Sequence, residues 1–384
     1  MLQSVMTGSR AHDISAPSHR PAPACVALVH DYLLVMRGAE RTFAAIAECW
    51  PSAAVYTLLF DPNGTNGTFA GRRVHASSLQ RLGVHQNGFR RLLPLFPAAA
   101  ERLGVAGHDL VISSSSAFAH GVRPDDDALH LCYCYTPFRY AWFERDEALR
   151  EAPRALRPAV ARLLERIRRW DLEASRRVDH YIAISELSRQ RIEAAYGRAA
   201  TVVHPPVETS RFAPGNPEDF FLVVTELLPH KRVEVALEAA RRARRPIKVV
   251  GAGPDLSRLR ARYGDTAEFL GRTSDEALAD LYARALAVIV PKVEEFGITA
   301  VEAQAAGRPV VGPDVGGTLE TVIDGITGVL VPPEDVDALA EALTHVDFNA
   351  FDPSAAVEQA SRFSRARFQE RFRAEVAKAW ARRP

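Results

Sequence analysis

The sequence predicts an α/β protein of two doubly wound domains facing each other across a cleft. Short apolar runs alternate with helical patterns in two successive series, one opening at Cys25 and the other at Phe220. Between them lies the most proline-rich segment of the folded part, His204 to Pro217, which reads as an interdomain linker. The chain has 384 residues, more than one ordinary core accommodates. The expected units are a disordered lead-in over 1–24, a first domain over 25–207, a second over 208–360, and a final helical segment over 361–384 that returns to the first domain.

In the first series, Cys25 to Val29 reads as a strand ended by His30-Asp31. Gly38-Ala39-Glu40 then leads into a helical pattern, Arg41 to Cys49, so a short loop sits where ligands bind in such sheets. Val55 to Leu59 is the next strand, Asp61 to Gly71 a loop, and Arg90 to Pro97 a proline-interrupted apolar stretch. Leu110 to Ile112 is a short strand followed by Ser113 to Ser116, whose hydroxyls read equally as ligand contacts or as caps. Leu129 to Tyr135 is a strand leading into Thr136-Pro137-Phe138-Arg139-Tyr140-Ala141-Trp142. An arginine among aromatics there suggests a pocket wall, or else a packed corner with an extended Arg139. Arg154 to Trp170 carries six arginines and an apolar stripe at helical spacing. Such a helix either lies on an anionic membrane or packs its stripe on its own domain. Val178 to Ile184 is a strand, and Ser185 reads as the N-cap of a helix from Glu186 to Tyr196.

The second series repeats the alternation. Strands are expected at Phe220–Val224, Ile247–Val250, Ala267–Leu270, Ala285–Val290, Pro309–Val311 and Val329–Val331. Helices are expected at Val233–Ala243, Leu256–Tyr263, Asp275–Ala285 and Ile298–Ala306, with another after Gly316-Gly317-Thr318. Ala355 to Trp380 is helical and long enough to cross back to the first domain.

Composition removes several classes. A net charge of +1 argues against a nucleic-acid partner. No run approaches the roughly 20 apolar residues of a membrane span, and 1–24 lack the apolar block of a signal peptide. Cys25, Cys49, Cys132 and Cys134 form no C-x-x-C pair and read as thiols in a reducing, cytoplasmic compartment. Asp125-Asp126-Asp127 follows Pro124 and reads as a solvated turn; no zinc spacing and no nucleophile elbow are present. Gly251-Ala252-Gly253 is half of a dinucleotide fingerprint, with Leu256 where the third glycine belongs.

The informative stretch is Pro291 to Ala303. A buried strand, a loop containing Gly297 and a helix start make an anion site, because first-turn N–H groups and the helix dipole favour phosphate or sugar oxygens. Glu294 and Glu302 bracket that turn and can face one cleft. Lys231 follows the first strand of the second series, where a point charge suits a diphosphate. A carboxylate such as Glu302 suits a vicinal diol. Together these describe a pocket for a nucleotide sugar.

Glu294 to Ala303, followed by Gly307-Arg308-Pro309-Val310-Val311 and Gly316-Gly317, resembles the E-x7-E signature of retaining family 4 glycosyltransferases with the GT-B fold of two Rossmann-like domains. Leu227 to Arg232, Val250 to Pro254 and Phe269 to Arg272 match the same family in order. Val29-His30-Asp31, Arg37 to Glu40, Asp109 to Ser114 and Tyr135 to Trp142 resemble bacterial mannosyltransferases of O-antigen and exopolysaccharide assembly. The resemblance implies catalytic roles for Glu294, Tyr135 and Lys231. It implies donor binding by Gly38, Arg139, Arg232, Gly253, Arg272, Phe296, Gly297, Ile298 and Glu302. It further implies hexose transfer, most readily mannose from GDP-mannose, to a lipid-linked or growing saccharide, with no metal and no other cofactor. Peripheral contact with the inner membrane face is expected through Arg154 to Trp170. Two positions depart from the pattern. Tyr135 stands where a histidine is common, and Glu226 where an arginine often precedes the phosphate-binding lysine, with Arg232 a candidate substitute. A UDP-hexose-dependent transferase and a nucleotide-sugar-binding homologue without turnover are the alternative readings.

Overall fold

A computed structural model describes residues 23–83 and 88–383; most of the 1–24 lead-in lies outside them. Two parallel sheets organise the chain. The first holds β1 (Val26–Leu33), β2 (Ala54–Phe60), β3 (Val74–Ala76), β4 (Leu110–Ser115), β5 (Leu129–Cys134), β6 (His180–Ala183) and β7 (Ala200–Val202) in the order β3-β2-β1-β4-β5-β6-β7. The second holds β8 (Phe221–Val224), β9 (Ile247–Val250), β10 (Ala267–Gly271), β11 (Ala287–Ile289), β12 (Val310–Pro313) and β13 (Gly328–Val331) in the order β10-β9-β8-β11-β12-β13. Each order reverses once, between β1 and β4 and between β8 and β11. Ligand crevices form outside the carboxyl ends of strands at such reversals.

β1 does not stop at His30-Asp31 as expected. It runs to Leu33, with His30 paired in register to Thr57 and Ser114. Both polar residues are buried within the strand, and their side chains find partners there. β4 likewise continues through Ser113, Ser114 and Ser115, so three of the four hydroxyls are core groups facing His130, Tyr135 and His120. The stretch around Pro94 forms a 3-10 turn and the short helix Phe96–Glu101. Ser185 caps Glu186–Tyr196, its hydroxyl accepting from the N–H of Ser188 at 3.1 Å.

The arginine-rich segment forms a 3-10 turn at Arg154–Leu156 and a helix over Arg157–Ser175. Leu164 and Ile167 of its apolar stripe are buried against their own domain, and Arg168 lies over Trp142 at 4.4 Å. Arg162, Arg166 and Arg169 stay exposed on the other face.

The end of the chain is two helices, Pro353–Ser361 and Arg365–Ala381, broken where it passes back to the first domain. The returning helix buries Phe368 and Phe372 against Tyr133, with ring centroids 5.7 and 5.5 Å away. Each buried phenylalanine contributes roughly 1.5–3 kcal/mol. Gln369 also reaches Glu48 and the Ala45 carbonyl of α1 (Gly38–Cys49). The outgoing and returning crossings lie side by side, the N–H of Val207 donating to the carbonyl of Phe363 at 2.9 Å.

Candidate active site

A cavity of about 370 Å³ lies where the two sheet reversals face each other. The first domain supplies Gly38 and Ala39 after β1, Ser116 after β4, and Tyr135, Thr136 and Arg139 after β5. The second supplies Thr225 after β8, Lys231, and Glu294 through Thr299 after β11. Of the residues singled out in the sequence, Gly38, Tyr135, Arg139, Lys231, Glu294, Phe296, Gly297 and Ile298 share this wall.

The loop carrying Glu294 is shaped by its glycines. Gly297 is the N-cap of the helix Ile298–Ala305 at φ 85°, a left-handed conformation that costs a Cβ-bearing residue energy. No side chain caps this helix, so first-turn N–H groups open at the cavity wall. Beneath the loop, the N–H of Gly317 donates to the Glu294 carbonyl at 2.9 Å. A Cβ on Gly317 would come within 2.2 Å of the Phe296 carbonyl oxygen. The support is therefore backbone against backbone.

Lys231 and Glu294 form an ion pair at 2.8 Å on one side of the cavity. Opposite stands a charge cluster that the sequence did not announce. Glu295 receives Arg191 at 2.7 Å and Arg139 at 3.5 Å, both from the first domain. Burial raises the Glu295 carboxyl, but the Arg139 and Arg191 charges outweigh it and hold the group below its usual value. Burial likewise lowers Arg139, and Glu295 and Glu144 more than reverse that. Arg191 sits mid-helix in Glu186–Tyr196, and no local pattern marks it.

Tyr135 is held rather than free. Its hydroxyl donates to the Ala39 carbonyl at 2.9 Å and pairs with Ser114 at 3.0 Å, and Ser114 pairs with His30 at 3.1 Å. Burial pushes the Tyr135 hydroxyl well above its usual range and pulls His30 down to about 4. This file of groups fixes the Gly38-Ala39 turn from behind. Asp31 fixes the neighbouring loop, accepting the N–H groups of Ser116, Phe118 and Ala119 at 2.6, 2.7 and 2.6 Å. Four-residue proximity in sequence could not have linked Asp31 to that loop, 85 residues on.

Four of the singled-out residues lie outside the cavity wall. Arg232 turns toward Glu334, 2.6 Å away, and Glu234. Gly253 packs its Cα against the Leu227 carbonyl, leaving no room for a Cβ. Arg272 is exposed beyond β10. Glu302 accepts from the Tyr282 hydroxyl at 2.9 Å, and burial raises its carboxyl above the usual value. Glu226, which breaks the expected cationic pattern, meets Arg37 of the first domain at 3.0 Å. Among the described residues, no group of three or more His, Cys, Asp or Glu side chains is placed to hold a metal.

Residues 36–211 match the family model "Glycosyltransferase Family 4", and residues 206–347 match "Glycosyl transferases group 1". The first domain and most of the second thus each match a glycosyltransferase model. The chain is 33% identical over 228 residues to a D-inositol 3-phosphate glycosyltransferase of Kribbella flavida, covering 48% of this chain and 53% of that one. A protein of the same name from Mycolicibacterium paratuberculosis is 37% identical over 166 residues, covering 37% and 38%. The matched region thus spans about half or less of these relatives' length. Among solved structures, Anabaena HepE in complex with UDP aligns with TM-score 0.67 at 17% identity, over 92% of this chain and 100% of that one. Sucrose-phosphate synthase from Thermosynechococcus elongatus aligns with TM-score 0.68 at 18% identity, over 93% and 99%. The fold is GT-B: two Rossmann-like domains across a cleft, with a C-terminal helix returning to the first.

Proposed function

We propose that this GT-B protein transfers a hexosyl group from a nucleoside diphosphate sugar to a hydroxyl of a saccharide or polyol acceptor. One observation carries the reading: Lys231, Glu294 and an uncapped helix start converge on a single interdomain cavity whose far wall is Gly38 and Arg139. Lys231 and the open N–H groups suit a diphosphate, and Glu294 suits sugar hydroxyls. Binding the donor would exchange the Lys231–Glu294 pair for two ligand contacts.

In the proposed reaction the acceptor oxygen forms a bond to the anomeric carbon while the bond from that carbon to the diphosphate oxygen breaks. The acceptor's proton leaves on the diphosphate, and attack from the same face retains configuration. Stabilising the departing charge falls to Lys231 and the helix start, and alignment to Glu294 and the Gly38 turn. No step calls for a metal. Tyr135 acts here by holding that turn.

The resemblance to polysaccharide mannosyltransferases supports GDP-mannose as donor and a lipid-linked or growing saccharide as acceptor. A UDP-hexose donor is the second reading, favoured by the structural neighbour solved in complex with UDP. Melting the protein with UDP, GDP, UDP-glucose and GDP-mannose tests both, since a ligand bound by the native state alone raises the melting temperature. A rise with a GDP ligand only supports the first, a rise with a UDP ligand only the second, and no rise with any refutes a donor site. Among the described residues, no helix is long and apolar enough to cross a membrane. We assign the exposed Arg162, Arg166 and Arg169 face to peripheral contact with an anionic cytoplasmic leaflet, with the stripe beneath serving the protein's own core.

A further inference from the structure

Asp171 stands in the buried stripe of the helix Arg157–Ser175 where an apolar residue is expected, after Leu164 and Ile167 and before Ala174 at helical spacing. It is 0% exposed. Its Oδ2 accepts two hydrogen bonds, from the Trp142 indole N–H at 2.7 Å and from the Tyr196 hydroxyl at 2.8 Å. Its Oδ1 lies 3.2 Å from His120 Nε2, and among the described residues neither atom hydrogen-bonds to any other group. Burial lowers His120, but Asp171 more than reverses this and holds the imidazole above its usual value.

The partners of Asp171 end at the cleft. Trp142 closes the one-turn helix Arg139–Trp142, whose first residue is Arg139. Tyr196 closes the helix Glu186–Tyr196, which carries Arg191. Arg139 and Arg191 are the side chains that meet Glu295 of the opposite domain, at 3.5 and 2.7 Å. One carboxylate oxygen therefore joins the two elements that carry this clamp. His120 leads to the same cleft by another route. Its Nδ1 lies 3.3 Å from Ser115 Oγ, Ser115 donates to Asp31 at 3.4 Å, and Asp31 holds the loop that brings Ser116 to the cavity wall.

We propose that Asp171 is a positioning residue for the transfer reaction: through Trp142 and Tyr196 it sets Arg139 and Arg191 against Glu295, and so fixes how the first domain's wall stands over the loop carrying Glu294. Its bearing on catalysis rests on the transfer reading above; the setting of the clamp does not. A carboxylate is a costly core filler, since well-packed apolar groups in place of a buried ion pair are often as stable or more so. Phe118 already packs on Phe138 and Trp170, ring centroids 5.3 and 5.6 Å away, and keeps this part of the core filled. Apolar contacts of that kind have no preferred direction. Hydrogen bonds to an ionised acceptor do, and they are roughly twice as strong as neutral ones.

Two measurements on the full chain separate position from stability. The control is Tyr133→Phe. Tyr133 is also a buried tyrosine, and its hydroxyl donates to the Val203 carbonyl at 2.9 Å, but its ring packs on Phe368 and Phe372 of the returning helix. The first measurement is a double-mutant cycle by urea unfolding, with Glu295→Gln made in wild type, Trp142→Phe, Tyr196→Phe and Tyr133→Phe. The loss caused by Glu295→Gln should shrink by about half or more in the Trp142→Phe and Tyr196→Phe backgrounds and stay full in Tyr133→Phe. The second is turnover of whichever nucleotide sugar raises the melting temperature, beside calorimetry with its nucleoside diphosphate. Trp142→Phe and Tyr196→Phe should lower kcat by about tenfold or more with nucleotide affinity unchanged, because Lys231 and the helix start of the second domain are untouched. Tyr133→Phe should keep both. Asp171→Asn, which keeps one oxygen for both rings at the same size, should hold turnover closer to wild type than Trp142→Phe does. Additive stabilities in every background overturn the assignment, as does wild-type kcat in both ring variants or an equal loss in Tyr133→Phe. Coupling to Glu295 without turnover by the wild type on any donor refutes the transfer reading, and with it the catalytic bearing of Asp171, and leaves the clamp standing.

Discussion

Gly317→Ala isolates what the backbone support under the donor loop contributes. Gly317 has φ −64° and ψ −23°, a conformation any residue adopts, so the substitution imposes no backbone strain of its own. The added methyl would lie 2.2 Å from the Phe296 carbonyl oxygen and 2.3 Å from its carbonyl carbon and Cα. Ordinary contact begins near 3.4 Å, and these are main-chain atoms that cannot rotate aside. The loop bearing Glu294 and Gly297 must therefore retreat by about 1 Å, a displacement that typically costs about 10²-fold in rate. Overpacking adds about 1–3 kcal/mol of destabilisation. Gly104→Ala is the control, because a Cβ there meets open space. The assay is kcat/KM for donor turnover beside urea melts, using whichever nucleotide sugar raises the melting temperature. Expected are a loss of about 10²-fold for Gly317→Ala and near wild-type turnover for Gly104→Ala. A Gly317→Ala enzyme with full activity would refute the claim that this loop is held rigidly for catalysis.

Other perturbations probe other parts of the cleft. Glu294→Gln should lower transfer by at least about 10²-fold while circular dichroism stays unchanged, and an active variant would remove Glu294 from the mechanism. Tyr135→Phe takes the donor from the buried Ala39 carbonyl and leaves Ser114 with His30 alone, so urea unfolding should show about 1–3 kcal/mol less stability; an unshifted midpoint would mean the hydroxyl holds nothing. A carboxyl held below its usual value stabilises the fold above that value and ceases to do so as pH falls through its lower folded one. The Glu295 contribution should accordingly be complete above about pH 4.5 and fade below it. Melts from pH 6 to pH 3 should fall more steeply for wild type than for Glu295→Gln, and superimposable profiles would deny the clamp any weight. Reversing Arg162, Arg166 and Arg169 to glutamate should abolish flotation with anionic vesicles, and unchanged flotation would locate any membrane contact elsewhere.

Most of the fold was legible because each half announces itself locally. Val233–Ala243, Ile247–Val250 and Leu256–Tyr263 fall where the periodicity places them, since a buried face imposes its spacing on the sequence. The edge strands β3 and β7 escaped, being three residues each and only half-buried, too short to display an alternation. The helix Val336–His345 also went unread, although Asp335 caps it and Leu339, Ala340 and Leu343 form its buried stripe. His30 and Asp31 misled because polar residues ordinarily end a buried strand. Here the partners that satisfy them come from other strands and from a loop after β4. The wall of the interdomain cavity was legible at Glu294 to Ile298 and at Lys231, where a strand end and a helix start adjoin in sequence. Its electrostatics were not. Glu295 meets Arg191 across 104 residues, and Arg37 meets Glu226 across the domain boundary, distances over which no motif records which charge will answer which.

The paired crossings at Val207 and Phe363 bear on how the cleft can move. Two strands of chain, hydrogen-bonded side by side, make a pivot instead of a tether: the domains can swing about that point, while sliding or drifting apart would break it. Phe363 sits at this pivot with its ring 5.4 Å from Phe296 of the donor loop and 5.3 Å from His204 on the outgoing strand. Any swing of one domain against the other therefore turns an aromatic wedge directly behind the loop proposed to meet the sugar. With the proposed donor in place, opening the cleft and loosening its hold would be one mechanical event, so product release would be geared to the same rotation that admits the next substrate.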